Sequence, residues 1–252
     1  MLLPMLSVPL LASQLIIADP AGDARGDGGY ILPTRPAFTA EMLDLRAFSA
    51  ESNGDTMRFT VSFGQMGNPW NAPSGFSAGV TDIFIKGVLG GQQVLADTGL
   101  RVRGQGGWQY HLRVTGTGAT LQEANALGTL STRAAPTVQV QGTSLFIDAA
   151  VPAGKYGYWV TNSVYTPLSA GGLLKPGPGT QPTALQAGRT GAPTPVDVLA
   201  APGDTQAFTN DTLAAVGETR DWVSAALIGL GGLGLLITVI ATVIAWRSPR
   251  RL

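Results

Sequence analysis

The residues with the clearest capacity for chemistry form an acidic loop near the N-terminus. Asp19, Asp23 and Asp27 stand four residues apart, with several glycines among them. Proteins bind Ca²⁺ through several oxygen ligands on a flexible loop, which three carboxylates and nearby carbonyls could supply. The alternative is plain turn chemistry, because Asp and Gly are ordinary turn residues. The loop therefore predicts either a structural calcium site or a turn.

Aromatic residues next to amides and charges form the second candidate, because sugars stack their C–H faces on aromatic rings. Trp70 lies in a loop rich in Pro and Gly, whereas Trp108 falls on a predicted strand whose face it would share with Leu112 and Val114. A core position is therefore the alternative for both tryptophans. The predicted carbohydrate-binding residues are Trp70, Asn68, Trp108 and Tyr110.

Signals for catalysis are weak. His111 is the single histidine and the chain has no cysteine, which removes most zinc, copper and haem schemes. No nucleophile elbow, HExxH motif or phosphate-binding loop occurs. Asp82 and Asp148 each fall on a predicted strand, and neither has an evident partner for glycoside cleavage. The chain is therefore predicted not to be an enzyme.

The elements that must position these residues read as strands. Met57, Phe59, Val61 and Phe63 alternate with polar residues, which is typical of a half-buried strand. Residues 80–86 have few polar positions and are expected near the centre of a sheet. Short strands separated by Gly/Pro turns predict an all-β fold, an immunoglobulin-like or jelly-roll antiparallel β-sandwich.

The C-terminal part carries an uncharged run from Trp222 to Trp246. At 1.5 Å per residue this run suffices to cross a hydrocarbon core of about 30 Å, so it predicts one transmembrane α-helix in a lipid bilayer. The arginine-rich residues 247–252 favour a cytoplasmic tail. The predicted location is therefore the cytoplasmic (inner) membrane, single-pass, with the N-terminal domain extracytoplasmic.

The remaining boundaries follow from composition. Residues 1–14 resemble the apolar region of a signal peptide without its basic start, so a truncated signal peptide is predicted, with an uncleaved anchor as the alternative. Residues 15–168 form the predicted β-sandwich domain. Residues 169–220, rich in Pro and Gly, form a predicted extension and stalk. A formal charge of zero without a basic stripe argues against a nucleic-acid partner.

Several short motifs, taken in order, resemble a known family. They are Asp19-Pro20-Ala21-Gly22-Asp23, Tyr30, Pro33-Thr34, Asn68-Pro69-Trp70 and the strand VTDIFI. Together they resemble the glucodextranase-like C-terminal domain, a DOMON-like β-sandwich related to family 9 carbohydrate-binding modules. The resemblance runs from about Leu15 to Val198.

The resemblance implies binding of a cell-surface or extracellular glycan rather than its hydrolysis, and related modules carry structural calcium. The expected function is thus that of a membrane-anchored extracytoplasmic carbohydrate-binding module. Two alternatives without a sugar ligand stay open. One is a structural cell-envelope protein, and the other is an accessory subunit of a secreted enzyme or transporter.

Overall fold

The computed structural model describes residues 14–26, 29–87, 90–125, 127–217 and 222–247, and within the last range it describes side chains for 229–242. Asp27, nearly all of the predicted signal peptide and nearly all of the basic tail lie outside the described residues. The strands are β1 Leu15–Ala18, β2 Tyr30–Ile31, β3 Leu45–Asn53, β4 Thr56–Phe63, β5 Gly79–Lys86, β6 Val94–Leu95, β7 Leu100–Arg103, β8 Tyr110–Thr115, β9 Gly118–Ala124, β10 Leu130–Thr132, β11 Thr137–Gln141, β12 Ser144–Pro152, β13 Gly157–Val164, β14 Gln186–Ala187, β15 Pro195–Val198, β16 Thr212–Ala214 and β17 Val216–Gly217. The helical elements described are a 3₁₀ turn at Ala40–Met42, α1 Gln206–Thr209 and α2 Trp222–Arg247.

Two antiparallel sheets dominate the fold. The five-stranded sheet has the order β1-β3-β4-β12-β11. The large sheet has the order β10-β9-β8-β5-β13-β15, and β17 also pairs with β13. Strand β5 lies between β8 and β13, so the central position predicted from its apolar run is confirmed.

The main core lies between the two sheets. Along β4, Met57, Phe59, Val61 and Phe63 are buried and the residues between them are partly exposed, as period-two alternation requires. The ring of Phe59 meets that of Tyr158 on the large sheet edge to face at 6.0 Å. Burying one such ring contributes about 1.5–3 kcal/mol, so these contacts hold the sheets together. The all-β sandwich expected from the alternation is therefore present.

The outer face of the large sheet is also covered, which explains why β5 and β13 are buried along almost their whole length. Phe84 and Trp159 point into a second apolar cluster that includes Leu100 and Leu213. Leu100 belongs to β7 and Leu213 to β16, and these two strands pair in parallel. The segments around these strands thus act as a cover over the sheet.

Described residues between 169 and 217 contribute directly to this compact unit. Strand β15 pairs with β13 and is buried at all four of its positions. Leu173 and Leu185 are likewise buried. The Pro/Gly-rich segment therefore packs on the sandwich at these points and brings Asp197 into the sheet.

The prediction of a transmembrane helix over residues 222–246 is wrong. In the described part of the chain, no helix combines the length and the apolar character needed to cross a lipid bilayer. Within α2, the side chains of residues 229–242 are described, and they include the polar residues Thr238 and Thr242. Four glycines in this stretch also add no apolar side chain. The predicted bilayer contact and single-pass location depended on this helix and lose their support with it.

Candidate functional site

The acidic loop begins where β1 ends. The Asp19 N–H donates to the Arg46 carbonyl at 3.0 Å, which extends the pairing of β1 with β3. Gly22 then turns the chain with φ at +90°, a conformation that L side chains rarely adopt. Its N–H donates to Asp44 Oδ2 at 2.9 Å. These bonds fix the loop against the start of β3.

Asp197, on strand β15, reaches the same place from a distant part of the sequence. One of its carboxylate oxygens accepts a hydrogen bond from the Leu45 N–H at 2.7 Å, and the other accepts one from the Val198 N–H at 2.8 Å. Asp19, Asp23 and Asp197 each place a carboxylate oxygen within 4.8 Å of the others. Two acids of the N-terminal loop and one acid of β15 thus form one acidic cluster.

Burial and mutual repulsion make this cluster unfavourable as three bare anions. Burial, reinforced by the neighbouring carboxylate of Asp23, raises the pKa of Asp19 to about 7. Burial and then Asp19 raise the pKa of Asp197 well above its usual value. Burial also raises the pKa of Asp44, although Arg46 contacts its carboxylate at 2.8 Å. The charged form of the cluster therefore needs further positive charge.

Three buried oxygens of this region have no hydrogen-bond partner: Asp19 Oδ2, Asp23 Oδ1 and Asp44 Oδ1. Unpaired buried acceptors are costly, and a hard cation would satisfy them. The adjoining crevice, lined in part by Asp19, Asp23 and Asp197, has a volume of about 50 Å³. This volume suits an ion with little water rather than an organic ligand. The donor set and the crevice thus fit a Ca²⁺ ion.

A groove beside Trp70 is the second candidate site and has a volume of about 200 Å³. The indole Nε1–H donates to the Tyr165 carbonyl at 3.2 Å, and the Trp70 N–H donates to Ser77 Oγ at 2.9 Å. The indole is only partly buried. Its ring is therefore fixed while part of it stays accessible. The groove is lined by Pro33, Arg35, Pro36, Phe38, Trp70, Tyr165, Thr166, Leu168, Ser169, Leu173, Leu174 and Thr183.

Asn68 shapes the loop that carries Trp70. Its Oδ1 accepts hydrogen bonds from the Ala72 N–H at 2.8 Å and from the Ser77 hydroxyl at 2.6 Å. Its Nδ2–H donates to the Ala72 carbonyl at 3.1 Å. The amide thus closes residues 68–72 into a turn, and its position suits support of the Trp70 ring rather than contact with a ligand.

The other two predicted aromatic residues lie elsewhere. Trp108 is 1% exposed, packs in the cluster on the outer face of the large sheet and donates its Nε1–H to the Val94 carbonyl at 2.8 Å. Tyr110 is partly buried and packs against the main core between the sheets. Neither lines the groove beside Trp70. The structure brings Trp70 and Asn68 together and separates them from Trp108 and Tyr110.

The remaining chemistry-bearing residues form structural ion pairs. Asp82 is fully buried and contacts His111 Nε2 and Arg113 Nε, each at 2.7 Å. Asp148 belongs to the five-stranded sheet and pairs with Arg58 at 2.8 Å. The two acids thus lie on different sheets with different partners, which is no arrangement for paired carboxylate catalysis.

Sequence reasoning missed Asp197, a member of the acidic cluster, and Asp44, which lies beside it. Asp197 stands within the apolar run Pro195–Val198, and Asp44 stands between two leucines. An acid within an apolar run is expected to be buried, and a buried acid needs a partner. This signal marks both residues as unusual but does not identify their common partners.

Comparison with known proteins agrees with the motifs. The family described as the SLH-like C-terminal binding module of glucodextranase matches residues 15–166, more than half of the chain. The matched range contains the acidic loop and Trp70, whereas Asp197 lies beyond it. No curated protein matches the chain. The expected resemblance is confirmed, and the chain belongs to the family of the SLH-like C-terminal binding module of glucodextranase.

Proposed function

We propose that this chain is a non-catalytic carbohydrate-binding module that acts at the cell surface or outside the cell. The description of its family as a binding module supports this function. The observation that carries it is the partly exposed Trp70 at the edge of a groove, whose indole N–H and main-chain N–H each donate a hydrogen bond. A fixed aromatic ring binds a ligand at low entropic cost, because its orientation is already set.

The rest of the groove complements a sugar. Thr166, Ser169 and Thr183 add hydroxyl groups that both donate and accept hydrogen bonds, as sugar hydroxyls do. No carboxylate lines the groove among the described residues, so it lacks the paired acids of a glycosidase. A volume of about 200 Å³ suits one sugar unit of a polymer rather than a long enclosed segment.

Affinity gel electrophoresis tests this function with gels that contain α-glucans or cell-wall polymers. Retardation by at least one polymer, lost in Trp70→Ala, is the expected result. Phe146→Ala is the matched control, because Phe146 is also partly buried but lies on the five-stranded sheet, outside the groove. If no polymer retards the protein, the rival functions, a structural envelope protein or an accessory subunit, are favoured instead.

We also propose that Asp19, Asp23 and Asp197 hold a structural Ca²⁺ ion, with Asp44 alongside. The three unpaired buried oxygens and the raised pKa of Asp19 support this assignment. The ion would supply positive charge between the N-terminal loop and β15. Isothermal titration of the protein with CaCl₂ after chelation tests the proposal, and Asp55→Asn is the control because Asp55 is an exposed turn residue. Absence of binding above pH 7 would refute it.

A further inference from the structure

The groove beside Trp70 carries a positive charge and no negative charge among its lining residues. Arg35 is the single charged residue among those that line it, and no aspartate or glutamate accompanies it. The other polar groups of the lining are neutral hydroxyls. A ligand in this groove thus meets an aromatic ring, hydroxyl groups and one positive charge.

The backbone of Arg35 is held by hydrogen bonds, whereas its side chain forms no ion pair with a described carboxylate. Its N–H and that of Thr34 donate to the Pro182 carbonyl at 3.0 Å and 2.7 Å. The side chain is exposed, and no carboxylate in the described part of the chain forms an ion pair with it. Six other arginines do have carboxylate partners: Arg46, Arg58, Arg103, Arg113, Arg133 and Arg189.

We infer that the groove selects a sugar unit that carries an anionic group, either a carboxylate or a phosphate. This inference rests on the proposed carbohydrate-binding function. The planar guanidinium donates hydrogen bonds in a fork that matches both anions in bidentate geometry. The Trp70 ring supplies the face for the sugar, and Arg35 supplies the charge that distinguishes an acidic unit from a neutral one. Selectivity thus comes from one residue and stacking from another.

Matched pairs of polymers test this selectivity. Polygalacturonate is compared with its methyl-esterified form, and a phosphorylated glucan with the same glucan after phosphatase treatment. Each pair keeps the sugar backbone and removes the charge, and the two pairs distinguish carboxylate from phosphate. We expect at least one anionic polymer to bind about tenfold more tightly than its neutral partner, and the preference to shrink as salt is raised.

Variants separate the roles. Arg35→Gln should reduce binding of the anionic polymer to the level of its neutral partner, and Arg35→Lys should retain part of the preference because a lysine keeps the charge without the fork. Arg101→Gln is the control for net charge, since Arg101 is exposed and lies outside the groove. Equal loss in Arg101→Gln would indicate non-specific attraction and overturn the inference.

Two further outcomes differ in what they refute. Equal binding of neutral and anionic polymers by the wild-type protein, or a preference that survives Arg35→Gln, overturns the selectivity and leaves the carbohydrate-binding function standing. Failure of every polymer to bind refutes the proposed function, and the selectivity falls with it. Thermal unfolding of each variant establishes that its fold is intact.

Discussion

Asp19 and Asp197 bring carboxylate oxygens within 4.8 Å of each other, although they come from the first and the fifteenth strand regions of the chain. Asp19 also keeps one buried oxygen without a partner. The closeness of these acids ties the N-terminal loop to the segment that follows the sandwich strands. Because the carboxylates repel one another, the stability of the domain depends on the protons or cations that neutralise their charge.

The pH dependence of stability should therefore be unusual without calcium. The pKa of Asp19 rises from 3.8 to about 7 in the folded protein, so between these values the folded state keeps a proton that the unfolded state has released. Raising the pH through this window should lower the free energy of unfolding by about 2–3 kcal/mol, because solvent screening reduces the effect below the full ~1.4 kcal/mol per pKa unit. Urea titrations in the presence of EDTA, carried out at several pH values from 4 to 8, measure this change in the free energy of unfolding.

The two acids with a lowered pKa, Asp148 and Asp204, do not mask this effect of Asp19 on stability, and the raised pKa of Asp197 acts in the same direction as that of Asp19. Arg58 and Arg103 lower the pKa of Asp148 and Asp204, so these two acids reduce stability only as the pH falls below about 4. A free energy of unfolding in EDTA that rises steadily from pH 4 to pH 7 would contradict the role given to Asp19. Saturating Ca²⁺ should flatten the curve, because the ion binds the deprotonated acids.

Asp197→Asn should abolish the stabilisation by calcium. For the wild-type protein at pH 7.5, Ca²⁺ at one hundred times its dissociation constant should add about 2.7 kcal/mol to the free energy of unfolding. The asparagine keeps the size of the side chain but removes one anionic ligand, so the added stability should vanish. In EDTA the variant loses repulsion with Asp19 but also loses the acceptor for one of the two backbone N–H groups that Asp197 binds, so its stability should stay close to that of the wild type.

The control for this experiment is Asp55→Asn in the turn between β3 and β4. Asp55 is exposed, so the same change of charge should leave the calcium effect intact. Differential scanning calorimetry with CaCl₂ and with EDTA gives both comparisons. A calcium shift that persists in Asp197→Asn would exclude this aspartate as a ligand.

Local patterns predicted the sandwich because a strand fixes its faces with its neighbours in sequence. The alternation along β4 and the apolar run of β5 needed no knowledge of distant residues. Extending such a pattern too far causes errors. Trp108 was expected beside Leu112 and Val114, but β8 begins at Tyr110, and Trp108 packs with the outer cluster while the other two lie in the main core.

The acidic cluster shows a second limit. The spacing of Asp19 and Asp23 identified the loop as a candidate metal site, whereas Asp197 reaches it only because β15 adds to the edge of the large sheet. The hydrophobic periodicity of a sequence reports local structure, so it does not reveal pairing between strands that are far apart in the chain. The groove beside Trp70 could not be predicted for the same reason, because lining residues between 165 and 174 and Thr183 are far from Trp70 in sequence.

Asn68→Ala should weaken glycan binding without removing any group that contacts the ligand. The variant loses the hydrogen bonds to the Ala72 N–H, the Ala72 carbonyl and the Ser77 hydroxyl, so the turn that carries Trp70 loosens. Each lost bond costs about 1 kcal/mol of stability. We expect affinity for a retarding polymer to fall several-fold, together with a modest drop in the melting temperature.

The comparison for Asn68→Ala is Asn53→Ala. Asn53 also donates a side-chain hydrogen bond, to Asp148 at 2.9 Å, but it is exposed and lies outside the groove. Its replacement should leave the affinity unchanged. If Asn68→Ala binds as the wild type does, the turn is not needed to position the indole.

Trp108 and Trp70 should respond to substitution in opposite ways. Trp108 is buried in the outer cluster, so Trp108→Ala should lower the free energy of unfolding by about 3–5 kcal/mol. The affinity of the folded protein for glycan should not change, because Trp108 does not line the groove. Trp70→Ala should instead weaken binding at least about tenfold, with a smaller loss of stability, since its ring is only partly buried.

Urea unfolding and affinity electrophoresis on the same preparations measure both quantities. Trp108→Phe provides a milder variant where the alanine does not fold, because it keeps most of the buried ring and loses the hydrogen bond to the Val94 carbonyl. A Trp108→Phe protein that is folded at the temperature of the assay but no longer binds glycan would place this residue in the site. That result would move the binding surface away from Trp70 and to the outer face of the large sheet.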